Sequence, residues 1–179
     1  MSLHIALLRG INVGGRNKLP MKDLAALFGE AGCNEVRTYI QSGNVVFEAT
    51  PTLARRIPGI ITASIGDRFG LEIPVVTRSA HELAAIVSAN PYVRDGVEEK
   101  QLHTAFLVDR PSATSIATLD PQRSPPDEFV VHNAEIYLRC PNGLARTKLT
   151  NAYFDARLGT TSTVRNWRTT LELLEMTRD

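Results

Sequence analysis

The chain has 179 residues, 43% hydrophobic and 22% charged, with a formal net charge of +1. This is the composition of an ordinary globular protein, long enough for one large core or two small ones, and it carries no global field that would draw it onto nucleic acid or an anionic membrane. No run is long and apolar enough to span a bilayer, and the N-terminus lacks the basic, apolar and small-residue succession of a secretory signal. Two cysteines, Cys33 and Cys140, stand at no disulfide or metal-ligand spacing, so the expected setting is the cytoplasm, with both thiols reduced and buried.

In chain order, Leu3 to Leu8 is a short apolar run read as a buried strand. Arg9 to Lys18 (Arg-Gly-Ile-Asn-Val-Gly-Gly-Arg-Asn-Lys) then crowds glycines, asparagines and cations between two regular elements. Pro20 suits the first position of a helix, whose apolar face is Met21, Leu24, Leu27, Phe28 and Ala31 and whose end is Gly32. Two strands follow, Val36 to Ile40 and Val45 to Glu48, joined by the turn residues Gln41-Ser42-Gly43-Asn44. Leu53, Ile57, Ile60, Ile61, Ile65 and Phe69 form one helical face up to Gly70. Pro58 within it predicts a kink, or a helix that starts there. Ile73 to Thr77 is the next strand. Strand, helix, strand, strand, helix, strand is the order of a ferredoxin-like βαββαβ unit with an antiparallel sheet and both helices on one face.

The second half opens on a capping box, Ser79-Ala80-His81-Glu82, and a helix burying Leu83, Ile86 and Val87 that ends at Asn90-Pro91. A polar loop leads to a strand over His103 to Asp109, a weak helix over Pro111 to Leu119 and a loop from Pro121 to Pro126. A hairpin of Phe129 to His132 and Ile136 to Cys140 turns at Asn133-Ala134. Leu149, Tyr153, Ala156 and Leu158 predict a helix ending at Gly159, and Thr163 is read as the cap of a last helix burying Trp167, Leu171 and Leu174. The fold expected is α+β: a ferredoxin-like half over residues 1–79 and a related half over 80–179, without a flexible linker. The second half echoes the first, with no residue-level repeat apparent.

The segment Leu7-Leu8-Arg9-Gly10-Ile11-Asn12-Val13-Gly14-Gly15-Arg16-Asn17-Lys18 resembles the opening of an uncharacterised bacterial family, domain of unknown function 1697. The resemblance continues through Thr38 to Phe47 (Thr-Tyr-Ile-Gln-Ser-Gly-Asn-Val-Val-Phe), Asn90-Pro91-Tyr92, Tyr137-Leu138, Pro141-Asn142-Gly143, Lys148-Leu149 and Arg165-Asn166-Trp167-Arg168-Thr169. It implies an α+β, ferredoxin-related fold over the whole length and no established activity. Thr147 stands where the family usually has serine, which keeps a hydroxyl, and Pro58 falls in a helix that the family usually leaves unbroken.

The chemistry expected centres on the glycine-rich loop. Gly10 and Gly15 are spaced as in a Walker A loop, but Arg16 and Asn17 occupy the lysine and serine/threonine places, and the sheet is antiparallel, so a nucleotide triphosphatase is not expected. A weaker anion site remains: backbone N–H groups at Gly14 and Gly15 with charge from Arg9, Arg16 and Lys18. Against it stands a structural loop in which Asn12 and Asn17 satisfy backbone groups and glycines take positive φ. Ser42 lacks a nucleophile-elbow context, and Ser42 and Asn44 enter as turn residues that contact a ligand held by the first loop. The end of the first strand and this hairpin are expected at opposite or diagonal ends of the sheet, so that convergence would need the second half. Arg165 and Asn166, before Trp167, would sit beside a helix N-terminus, and Lys148 is a further candidate cation.

His4, His81, His103 and His132 have no metal-ligand spacing, and no metal or cofactor is expected. The function expected is binding of a small anionic ligand, phosphate- or carboxylate-bearing, in a cleft between the halves. The candidate residues are Arg9, Asn12, Gly14, Gly15, Asn17, Lys18, Ser42, Asn44, Lys148, Arg165 and Asn166. The alternatives are nucleic-acid binding on the sheet through Tyr39, Phe47, Phe106 and Tyr137, which so few aromatics do not favour, and a non-catalytic interaction module or homodimer.

Overall fold

The structure is a computed structural model that describes residues 1–178. Two four-stranded antiparallel sheets are formed, with strand orders β2-β3-β1-β4 and β6-β7-β5-β8. The chain divides into two units: Met1–Ala84, joined by the C-terminal segment from Leu173, and Ala85–Glu172. The fold is therefore mixed α+β, as the element order predicts.

In the first unit β1 (Ser2–Leu8), α1 (Met21–Glu30), β2 (Asn34–Tyr39), β3 (Asn44–Ala49), α2 (Pro51–Phe69) and β4 (Val75–Ser79) follow one another. Side chains alternate across a strand. One face of the sheet gives Ala6, Leu8, Val45, Phe47, Ala49 and Val75 to a core completed by Leu24, Leu27 and Phe28 of α1 and Ala54, Ile57, Ile61 and Ile65 of α2. The other face, with Ile5, Leu7, Val46 and Val76, is buried as well. Burial on both faces is why β1 reads as a continuous apolar run rather than an alternating one. Pro20 is the N-cap of α1 rather than its first helical residue. Thr50 caps α2 by accepting from the Leu53 N–H, and α2 runs from Pro51 through Pro58 to Phe69. A start at Pro58 is thus excluded, because the Thr50 cap and Pro51 already supply a helix origin one turn and more upstream.

In the second unit α4 (Pro91–Arg94) precedes β5 (Leu102–Leu107), α5 (Ala113–Ile116), β6 (Glu128–His132), β7 (Glu135–Arg139), α6 (Asn151–Leu158) and β8 (Ser162–Asn166). Two helices cross the division between the units, α3 (Ala80–Ser88) after β4 and α7 (Trp167–Met176) after β8. The capping box at the start of α3 is reciprocal: Ser79 Oγ accepts the Glu82 N–H and Glu82 Oε2 accepts the Ser79 N–H. The reading of Thr163 as a helix cap is corrected. Thr163 lies inside β8, and Asn166 caps α7 by accepting the Thr169 N–H at 2.8 Å.

With β8 in place, the second unit repeats the topology of the first, and the register exposes a repeat of residues that the sequence reading missed. His4 pairs with Ser79 across β1 and β4, and His103 pairs with Asn166 across β5 and β8. In that alignment Leu3-His4-Ile5-Ala6-Leu7-Leu8 overlays Leu102-His103-Thr104-Ala105-Phe106-Leu107, differing only at Ile5/Thr104 and Leu7/Phe106, and Arg78 overlays Arg165. Thr50 and Thr150 each cap the helix that follows the hairpin, and Gly70 and Gly159 each close it in the left-handed conformation. The two units are copies of one βαββαβ plan with a shared set of strand and cap residues.

Cys33 and Cys140 are buried, and burial pushes each thiol up to about 11. The neutral thiol is therefore favoured in the folded state. Unfolded thiols ionise near ~8.5, so this contribution to stability is present below that pH and is lost as pH rises toward 11. A thiol-reactive dye at pH 8 is expected to leave both cysteines unmodified in native protein and to label both after denaturation. Rapid labelling of the native chain would contradict this burial.

Candidate functional site

The antiparallel pairing of β1 with β3 sets Leu7 opposite Asn44. The C-terminal end of β1 therefore lies beside the β2–β3 turn, which corrects the expectation of opposite or diagonal sheet ends: in an antiparallel pair the end of one strand meets the start of its partner. Leu8 N–H donates to Gly43 O at 2.9 Å and Arg9 N–H donates to Pro74 O at 3.1 Å. The glycine-rich loop, the turn over 40–43 and the approach to β4 thus share one end of the first sheet.

Within the loop a small hairpin forms. Val13 and Arg16 make an isolated bridge, Arg16 N–H donates to Val13 O at 2.9 Å, and Asn12 N–H donates to Asn17 O at 3.1 Å. Gly14 (φ 56°) and Gly15 (φ 75°) form its tip, the pair of positive φ values that a type I′ turn demands. Asn12 holds the hairpin in place. Its Nδ2 donates to Leu19 O at 2.8 Å and to Gln41 O at 2.9 Å, while its Oδ1 accepts the Leu19 N–H at 2.8 Å. Asn17 Nδ2 donates to Gly10 O at 2.9 Å. Ile11 and Leu19, both buried, fix the two ends in the core.

The tip of this clamped loop is presented to solvent. Gly14, Gly15, Arg16, Asn17 and Lys18 are exposed, and no other group approaches within 4 Å of where a Cβ would stand on either glycine. Among the described residues neither Arg16 nor Lys18 forms an ion pair. Arg9 is half-buried and, like Ser42, already engaged in an interaction. Asn44 is fully buried and donates from Nδ2 to Tyr39 O, closing the turn from inside. Val13 is 62% exposed and Ile40 49%. Ile40 also holds φ 48°, a left-handed conformation that a β-branched residue adopts only under constraint.

The remaining candidates lie in the second unit. Lys148 is exposed, and its backbone is held by Ser124, whose Oγ accepts the Lys148 N–H at 3.0 Å, and by Arg123, whose Nε donates to Lys148 O at 3.1 Å. Arg165 is buried on β8, where Nη1 donates to Thr163 Oγ1 at 2.9 Å and to Val164 O at 3.0 Å. Burial lowers its pKa to about 10, so it stays cationic at neutral pH. The Asn166 side chain is occupied in capping α7, and Trp167 is buried. Of the sheet aromatics, Phe47, Phe106 and Tyr137 are buried and Tyr39 is half-buried, so they offer no base-stacking platform.

The structure thus brings Arg9, Asn12, Gly14, Gly15, Asn17, Lys18, Ser42 and Asn44 to one end of the first sheet. Sequence reasoning left Val13 and Ile40 out of the candidate set. The signal that marks them is an aliphatic residue inside a run of glycine, asparagine and cations, where nothing local can bury it. No group of three or more His, Cys, Asp or Glu side chains among the described residues is arranged to hold a metal, and no helix is long and apolar enough to cross a membrane.

Residues 1–137 match the model of a family described as protein of unknown function (DUF1697), and the chain belongs to that family. A solved structure, the conserved bacterial protein SP0830 from Streptococcus pneumoniae, is similar over 98% of both chains with a TM-score of 0.73 at 19% sequence identity, a likeness of fold. No curated protein matches the chain.

Proposed function

We propose that this member of the family binds a small anionic ligand, phosphate- or carboxylate-bearing, on the glycine hairpin of its first unit. The observation that carries the reading is the clamped Gly14–Gly15 tip flanked by Arg16 and Lys18. Loop ordering is normally a cost of binding. Here the Asn12 and Asn17 hydrogen bonds have already met that cost in the folded chain. A turn that exposes successive N–H groups is a concavity for anion oxygens, and two cations without internal partners supply the complementary charge. Val13 and Ile40 add apolar surface on the same face, which favours a ligand whose anionic group is attached to an apolar body. The proposal concerns binding and assigns no reaction.

Calorimetric titration of the full chain with a panel of small phosphate esters and carboxylates tests it, run beside the double variant Arg16→Ala, Lys18→Ala. Charge-assisted hydrogen bonds contribute ~1.5–3 kcal/mol each, so the variant is expected to lose at least about tenfold in affinity, and wild-type affinity is expected to fall as salt rises. Equal affinity of the two proteins, or no binding across the panel at millimolar ligand, would remove the hairpin as a receptor.

A further inference from the structure

At the opposite end of the same sheet the first unit has a cavity of about 350 Å³ lined by His4, Pro51, Ala54, Arg55, Thr77, Arg78, Ser79 and Glu82. Its walls come from the start of β1, the end of β4, the first turns of α2 and the first turn of α3. We infer that this cavity is a second ligand site, separate from the glycine hairpin, and that it takes the phosphate group of a small phosphomonoester.

The charges on the walls favour an anion. Arg55 and Arg78 are cations, and Arg55 has no hydrogen bond or ion pair among the described residues. The one carboxylate, Glu82, is committed to the capping box: Oε2 accepts the Ser79 N–H at 2.7 Å. The first turn of α2, which supplies Pro51 and Ala54 to the wall, carries no acidic residue, so the positive end of this long helix is not offset from within. Arg78 is buried with Nη1 donating to Thr77 O at 2.9 Å, which uses one guanidinium N–H of five and fixes the side chain's direction.

The donor set separates phosphate from carboxylate. Two guanidiniums, the hydroxyls of Thr77 and Ser79 and a histidine ring converge on one cavity. Ser79 Oγ accepts from the Glu82 N–H at 3.1 Å and so retains its own O–H for a ligand. His4 is held by an Nδ1 contact to Ser2 O at 2.9 Å and by stacking on Phe47, with ring centroids 5.5 Å apart. With Nδ1 donating to that carbonyl, Nε2 is the ring's remaining polar atom. So many donors outnumber what a two-oxygen carboxylate accepts and suit the three terminal oxygens of a phosphomonoester. Pro51 and Ala54 leave an apolar wall for the ester's carbon skeleton.

The test is a titration of the ¹³C,¹⁵N-labelled full chain with inorganic phosphate and with glycerol 3-phosphate, followed by the His4 ring signals and by calorimetry. Three proteins are compared: wild type, Arg55→Ala, and the hairpin double variant Arg16→Ala, Lys18→Ala. Arg55 is exposed, so its truncation leaves the fold intact. The expected result is movement of His4 but not of the exposed His81, a loss of about tenfold or more in affinity in Arg55→Ala, and unchanged affinity at this site in the hairpin variant. Static His4 signals, or equal phosphate affinity in wild type and Arg55→Ala, would overturn the inference. Loss of all phosphate binding in the hairpin variant alone would overturn it while supporting the hairpin reading. The converse pattern would do the reverse.

Discussion

Replacing Gly43 by alanine is expected to destabilise the protein by about 2–5 kcal/mol. Two terms add. Gly43 has φ 77°, where an L side chain costs ~1–2 kcal/mol. A Cβ there would also stand 2.8 Å from Leu8 Cβ, 2.9 Å from Ile11 Cδ1 and 3.0 Å from Ile11 Cγ1. Both neighbours are buried, so relief requires moving packed core, an overpacking cost of ~1–3 kcal/mol. The same residue accepts the Leu8 N–H at 2.9 Å, so displacement would also lengthen the bond that ties the turn to β1. Gly14→Ala is the internal control: its φ is also positive, but nothing lies within 4 Å of the added methyl, so only the conformational term of ~1–2 kcal/mol applies. Denaturant unfolding of the two variants checks the difference. Equal losses would mean that the turn and the end of β1 are not packed together as described.

Replacing Asn12 by alanine is expected to cost about 2–4 kcal/mol and to free the glycine hairpin. The side chain makes two donations, to Leu19 O and Gln41 O, and accepts the Leu19 N–H. Ordinary hydrogen bonds contribute ~0.5–1.5 kcal/mol each, and a buried donor left unpaired adds ~1–3 kcal/mol. Leu19 is fully buried, so its N–H falls in the second class. Hydrogen exchange reads the change locally: the Leu19 amide should lose protection in the variant while amides in the centre of β1 and β3 keep theirs. Binding of anionic ligands should weaken in parallel, because the loop would then have to be ordered on binding. A stability loss under ~0.5 kcal/mol with the Leu19 amide still protected would show that Asn12 is not the clamp.

These two residues mark what the sequence displayed and what it hid. The glycines and asparagines of residues 10–17 announce a turn with positive φ, and the structure uses them so. The partner of Asn12 was not legible, because Gln41 lies 29 positions away and is met through its carbonyl, a group every residue has. The alternation of apolar residues and the cap signals located most elements, including both hairpins and the Ser79 capping box. β8 was lost for a physical reason: its five residues, Ser-Thr-Val-Arg-Asn, are mostly polar and run into α7 without a turn. Asn166 is at once the last strand residue and the helix cap. Without β8 the second unit could not be matched to the first, and the register that aligns His4 with His103 and Arg78 with Arg165 stayed hidden. Arg165 reads in sequence as a surface cation near a helix N-terminus. Only its place on β8 shows it to be buried.

The central claim is that the Gly14–Gly15 tip receives an anion. Amide spectra of ¹⁵N-labelled protein, recorded during titration with a small phosphate ester that carries an apolar group, test it most directly. The account predicts that the largest and saturable shifts fall on the Gly14 and Gly15 amides and the Arg16 side-chain N–H, with smaller ones at Ile40 and Gln41. Saturable binding that leaves the Gly14 and Gly15 amides where they were would contradict it.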